Sequence, residues 1–166
     1  MAADSVSVEV SVECDDWLAL CPDAAALAEA AARAALAADM GPPAGTLILG
    51  VVLTDDDRQR QLNRTYRGTD AATDVLAFAL VDQASPAPAG APVLLGDVVL
   101  AFATVAREAA QQRKPLADHL QHLVVHGVLH LLGFDHQGAA EGAFMEARET
   151  EILESLGVPD PYRDTM

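Results

Sequence analysis

Only two cysteines occur in the 166 residues, Cys14 and Cys21, with six residues between them. That separation lies outside the C-x-x-C spacings of redox and zinc sites. A chain of this length buries a core without disulfide staples, so both are expected as reduced thiols of a cytosolic protein. Long apolar runs are missing too. The longest are too short or too interrupted to span a bilayer, and no charged start followed by an apolar run marks a signal peptide. No membrane partner and a cytoplasmic location are therefore expected. Aromatic residues make up only 4 %, whereas 51 % of the chain is hydrophobic and much of that is alanine. No internal repeat is visible, and the length implies one domain over residues 1–166.

Basic residues are the next scarcity: 10 against 25 acids, a net charge of −15. Phosphate binding is driven by Lys and Arg, so the total argues against a nucleic-acid partner. The distribution argues the other way. Residues 1–57 carry eleven acids and a single base, Arg33. The next ten residues hold Arg58, Arg60, Arg64 and Arg67. Such an island either pairs with neighbouring acids such as Asp55, Asp56 and Asp57 or forms a local anion-binding face.

Val6, Val8, Val10 and Val12 alternate with Ser and Glu, the period of a half-buried strand. Pro22-Asp23 opens an alanine-rich helix to about Met40, stopped by Gly41-Pro42-Pro43. Residues 46–53 form an apolar run suited to a strand buried on both faces. Thr54 is placed to cap a second helix that carries the arginine island and ends near Gly68. Strands are expected over residues 74–80 and 94–100, the latter running into a helix near 102–107, with a Pro- and Ala-rich loop at 84–92 between them. A helix begins at Pro115 and runs through His130, and a last helix covers residues 141–156. These elements predict an α+β (α/β-like) domain: one small mixed sheet of about four strands with helices packed on it.

The densest chemistry lies in the fourth of these helices and the turn after it. His119, His122, His126 and His130 fall within about 80° of one another at 100° per residue. His119 is expected to be exposed. His126 and His130, four apart, project from one face. Gly133 can turn the chain back and bring His136 to a third corner. Three imidazoles with an open fourth position make a catalytic rather than a structural metal site. Zinc suits it best, and nickel and copper bind the same nitrogens. Zinc would lower the pKa of a water to about 7, which serves hydrolysis of a peptide, an amide or a phosphodiester. Asp135 and His122 are placed to support the ligands from behind. The metzincin proteases share this histidine spacing but carry Glu after the first His as general base. Here that residue is Gly127, which avoids a carboxylate that would repel a phosphate and leaves room for one.

The histidine motif, with Leu62-Asn63-Arg64-Thr65-Tyr66-Arg67-Gly68, Thr73-Asp74-Val75-Leu76-Ala77-Phe78 and Leu95-Gly96-Asp97-Val98-Val99, resembles the YbeY family of bacterial rRNA maturation endoribonucleases. The resemblance covers most of residues 46–157. It implies a metal held by His126, His130 and His136 with Arg67 beside it. It also implies a single-strand-specific endoribonuclease acting on rRNA, in small-subunit 3′-end maturation and ribosome quality control. Physical chemistry agrees: a guanidinium there holds a phosphate bidentately, and Arg58, Arg60 and Arg64 are candidates to track a single strand. The chain departs from the family pattern at Ala77 and Ala79, usually Ser and Pro, and at Phe134, usually Tyr. Its acidity makes recruitment by the small ribosomal subunit or an associated protein more plausible. Two other classes share parts of the pattern: a non-catalytic ribosome-maturation binding factor with a structural metal, and a zincin-like peptidase or amidase.

Overall fold

Alternating valines build the first strand, β1 (Ser5–Val12), with Val8 buried and Val6, Val10 and Val12 packed against the core. The computed structural model describes residues 5–40, 46–79, 93–133 and 139–161. A short helix the sequence pattern did not announce, α1 (Asp16–Leu20), follows. It places the one tryptophan, Trp17, fully inside, where its indole N–H donates to the Thr54 carbonyl at 3.0 Å. Buried Trp needs such a partner for its polar edge. In α2 (Ala24–Met40), Ala24, Ala28, Ala31, Ala32, Ala35 and Leu36 are buried. Their small side chains let the helix lie close on the sheet and on a later helix.

In β2 (Thr46–Thr54), Leu47, Leu49, Val51 and Leu53 are buried, whereas Ile48, Gly50 and Val52 are only half-buried. The strand is thus covered fully on one face, not on both as its apolar run suggests. It continues through Thr54, which pairs in register with Ala101, so the helix start shifts by one residue. Asp55, not Thr54, caps α3 (Asp56–Arg67), its carboxylate accepting from the Arg58 N–H at 2.7 Å. Asp56 reaches across to the start of another helix, where it accepts from the Thr104 N–H and hydroxyl.

The remaining elements are β3 (Val75–Ala79), β4 (Val93–Ala101), α4 (Phe102–Gln111), α5 (Leu116–Leu131) and α6 (Ala139–Ser155). The sheet has four strands in the order β1-β2-β4-β3, the first three parallel and β3 antiparallel on the edge. This is the mixed sheet with packed helices expected from the sequence. Consecutive residues of β4 face opposite sides. Val98 lies beneath α5, and Asp97 and Val99 face α3. Helices α2 and α5 pack together on one face, and α3 covers part of the other. No helix among the described residues is long and apolar enough to cross a membrane. The expected loop at 84–92, Leu80 at the end of the expected strand, and Phe134, Asp135 and His136 lie outside the described residues.

Candidate metal and RNA site

Helix α5 owes its position to a missing side chain. A Cβ on Gly127 would stand 2.6 Å from a methyl of Val98 and 3.3 Å from one of Val75, so only glycine lets the helix press this far onto β3 and β4. That corrects the electrostatic reading of Gly127: its empty position points into the sheet. A protease-type glutamate there would collide with two β-branched side chains. The helix ends as expected, with Gly133 at φ 99°, a left-handed conformation that glycine adopts without strain.

Along one side of α5 runs a groove of about 400 Å³, walled by Asp74, by Val75, Ala77 and Ala79 of the edge strand, and by His126, Gly127, His130 and Leu131. The Nε2 atoms of His126 and His130 approach to 3.1 Å. Behind them, His126 Nδ1 donates to Glu149 of α6, whose side chain is entirely buried. A carboxylate on Nδ1 fixes the tautomer and leaves Nε2 as a lone pair directed away from it. Tetrahedral zinc with bonds of 2.0–2.1 Å sets ligand nitrogens about 3.3 Å apart, so the spacing of the pair fits a shared metal. The donor set is therefore suited to a divalent cation of zinc's kind. Among the described residues no cluster of three ligands forms, since His136 falls outside them.

Glu149 also lies 3.7 Å from His122 Nε2, so one carboxylate faces two histidines of the stripe. His122 thus shares this carboxylate with His126. Sequence reading missed Glu149 because it comes from α6, 23 residues beyond His126, with no local pattern to mark it. His119 is not exposed as expected but 3 % accessible, with Nε2 3.0 Å from Glu108 of α4. Burial, with lesser contributions from His122 and Lys114, drives its pKa down to about 4. Burial pushes Glu108 up to about 7, helped by the charge of Asp74 and a hydrogen bond with it. Both shifts favour the uncharged forms, so the contact is a neutral hydrogen bond, not an ion pair.

The arginine island splits. Arg58 lines a second hollow of about 480 Å³ on the α3 side of β3, with Tyr66, Phe78, Asp97 and Glu13 among its walls. Burial and the charge of Glu9 raise the Asp97 pKa there. Arg60 pairs with Asp70 at 3.2 Å, both about half exposed, rather than with the acids that open the helix. Arg64 is exposed, and its carbonyl accepts from Gly68. The backbone of Arg67 closes α3, and its side chain lies outside the described part. Ala77 and Ala79 line both hollows, with methyl groups where the family pattern has Ser and Pro.

A profile of the family described as Endoribonuclease YbeY matches residues 20–157. The chain belongs to the YbeY endoribonuclease family. It is 50 % identical over 159 residues to the Endoribonuclease YbeY of Paramagnetospirillum magneticum, covering 95 % of this chain and 96 % of that one. With the Rhodospirillum rubrum Endoribonuclease YbeY it shares 52 % identity over 156 residues, 89 % of this chain and 77 % of the relative. A solution structure from Thermotoga maritima superimposes with a TM-score of 0.51 at 19 % identity, covering 95 % and 99 % of the two chains, a likeness of fold. Family membership makes this an RNA-cleaving hydrolase.

Proposed function

We propose that the chain is a zinc-dependent, single-strand-specific endoribonuclease that matures the 3′ end of small-subunit rRNA and takes part in ribosome quality control. The observation that supports it most is the convergence of the His126 and His130 Nε2 atoms on the groove, with Glu149 holding the first ring from behind. His126, His130 and His136 would hold the metal. When bound, zinc supplies a water of lowered pKa and draws off phosphate charge. Glu149 keeps His126 in the ligating tautomer. Arg67 clamps the phosphate bidentately and stabilises the charge that builds on its oxygens. Arg58, Arg60 and Arg64 draw a strand that reaches the histidines across the edge of the sheet. The small ribosomal subunit or a protein on it recruits the acidic chain.

Elemental analysis paired with cleavage of a single-stranded rRNA precursor tests this reading. Purified wild type should carry one zinc and cut the RNA, and Arg67→Ala should keep its metal while losing roughly 100-fold or more in turnover. Unchanged turnover in Arg67→Ala removes it from the mechanism. Folded protein that binds small subunits and cuts nothing, but melts when the metal is stripped, would make the metal structural.

A further inference from the structure

Across β3 from the histidines lies the hollow of about 480 Å³, whose side chains have no part in holding a metal. Beneath it runs one row of the sheet. Strand pairing sets Glu9, Gly50, Asp97 and Phe78 side by side, and residues directly opposite one another share a face. Gly50 leaves a gap in that row, and the Asp97 carboxyl leans over it, taking the place a Cβ on Gly50 would fill. Asp97 is only half-buried there, and among the described residues no cation offsets the burial and the Glu9 charge that act on it.

Helix α3 supplies the rim. Tyr66 is 69 % exposed, its ring centroid 5.5 Å from that of Phe78 and tilted by 57° to it. Phe78 thus braces one side of the tyrosine ring while most of the ring meets solvent. Arg58, about two turns earlier on the helix, lines the same hollow.

The charges exclude a phosphate as the occupant. Asp97 and Glu13 face the hollow against the single guanidinium of Arg58, so a phosphate would meet net repulsion. A planar, uncharged group with hydrogen-bond donors along one edge fits instead, since a carboxylate only accepts and an aromatic face stacks. A base of single-stranded RNA has both properties, because its Watson–Crick edge is unpaired. Guanine alone carries two adjacent donors on that edge, N1–H and N2–H, which one carboxylate accepts side by side. Its O6 and N7 remain for a guanidinium.

We propose that this hollow is a guanine-binding subsite, in which Asp97 accepts from the donor edge, Tyr66 stacks on the ring and Arg58 reaches O6 and N7. Ala77 and Ala79 line both this hollow and the histidine groove. A strand with its phosphate at the histidines therefore reaches the subsite by crossing β3 alone. The consequence is a cut at a constant distance from a guanine, and it rests on the groove being where RNA is cut.

Binding is measured first, on the whole protein labelled with ¹³C, by titrating GMP, IMP, AMP and UMP in turn. GMP should shift the Tyr66 ring and Asp97 carboxyl resonances and bind about 10-fold or more tighter than AMP or UMP. IMP lacks the N2 amino group and should bind about 10-fold more weakly than GMP. Asp97→Asn should bring GMP down to the level of AMP, and Tyr66→Ala should weaken GMP by about 10- to 100-fold. Tyr66 is exposed, so Tyr66→Ala carries the test if Asp97→Asn does not fold. Cleavage is measured next on oligouridylates with one guanine moved along the chain. Wild type should cut at a constant distance from the guanine, and Asp97→Asn should lose that register. Equal affinity for GMP, AMP and UMP, GMP binding untouched by either substitution, or wild-type cuts that ignore the guanine would each overturn the proposal. Wild type that binds GMP at Tyr66 and Asp97 but cuts no RNA would uphold the subsite and remove the endoribonuclease reading instead.

Discussion

The two halves of α5 carry the same residue type to opposite ends. At its start His119 is buried, neutral and tied to Glu108. At its end His126 and His130 are partly exposed and bring their Nε2 atoms together at the groove. What separates them is the element behind each ring. Helix α4 supplies a carboxyl that engages the His119 Nε2, whereas α6 supplies Glu149 to the His126 Nδ1 and so leaves Nε2 available. An imidazole becomes a ligand or a positioning group according to which nitrogen its neighbour takes. Within the second half, between His126 and His130, Gly127 lets the helix lie close against the sheet.

Removing a ligand breaks the contrast most severely. His130→Ala should lose nearly all bound metal and roughly 100-fold or more of RNA cleavage, while His119→Gln should keep its metal. Elemental analysis of the two variants side by side checks this, and equal metal loss would erase the distinction. Glu149→Gln comes next: the His126 Nδ1 keeps an acceptor but loses a carboxylate, and metal affinity should drop about 10- to 100-fold. Competition with a chelator of known affinity measures it.

The part of this site legible in sequence was the part that is local. Histidines four apart, and the glycine turn after them, follow from helix periodicity, and the structure shows both. The four-stranded mixed sheet followed from strand and helix periods. The groups that give His126 and His119 their roles come from other elements: Glu149 from α6 and Glu108 from α4. Nothing in their own neighbourhoods distinguishes them from solvated surface acids. His119 shows the same limit in reverse: a polar residue on a polar stripe was expected outside, and a tertiary partner takes it in. The half-buried face of β2 and the shift of the helix cap to Asp55 also depend on packing and pairing that no local window contains.

Gly127→Ala probes the contact of the metal-bearing half with the sheet. The added methyl must displace Val98, which lies on a central strand and has little freedom to move. Overpacking of this kind costs about 1–3 kcal/mol, and the variant should unfold at correspondingly lower denaturant concentration. Because Gly127 stands between His126 and His130, metal affinity should weaken together with stability. A Gly127→Ala protein as stable as wild type would mean that α5 is not pinned by close approach.

The smallest effect isolates the His119 end, and its sign follows from the two shifts. Glu108 is raised from its ordinary 4.5 to about 7, so its stabilising contribution is complete below 4.5 and is lost as pH rises through about 7. His119 is lowered from 6.5 to about 4, so its contribution is present above 6.5 and is lost as pH falls through about 4. The pair therefore penalises both directions. Glutamine does not titrate, so Glu108→Gln should remove only the alkaline limb. Between about pH 5 and pH 8 wild type should lose on the order of 1 kcal/mol relative to the variant, since the partial exposure of Glu108 screens much of the shift. Urea unfolding of both proteins across that range checks the difference. A parallel pair of curves would mean that Glu108 is ionised in the folded protein, and the neutral end of α5 would then resemble an ordinary ion pair.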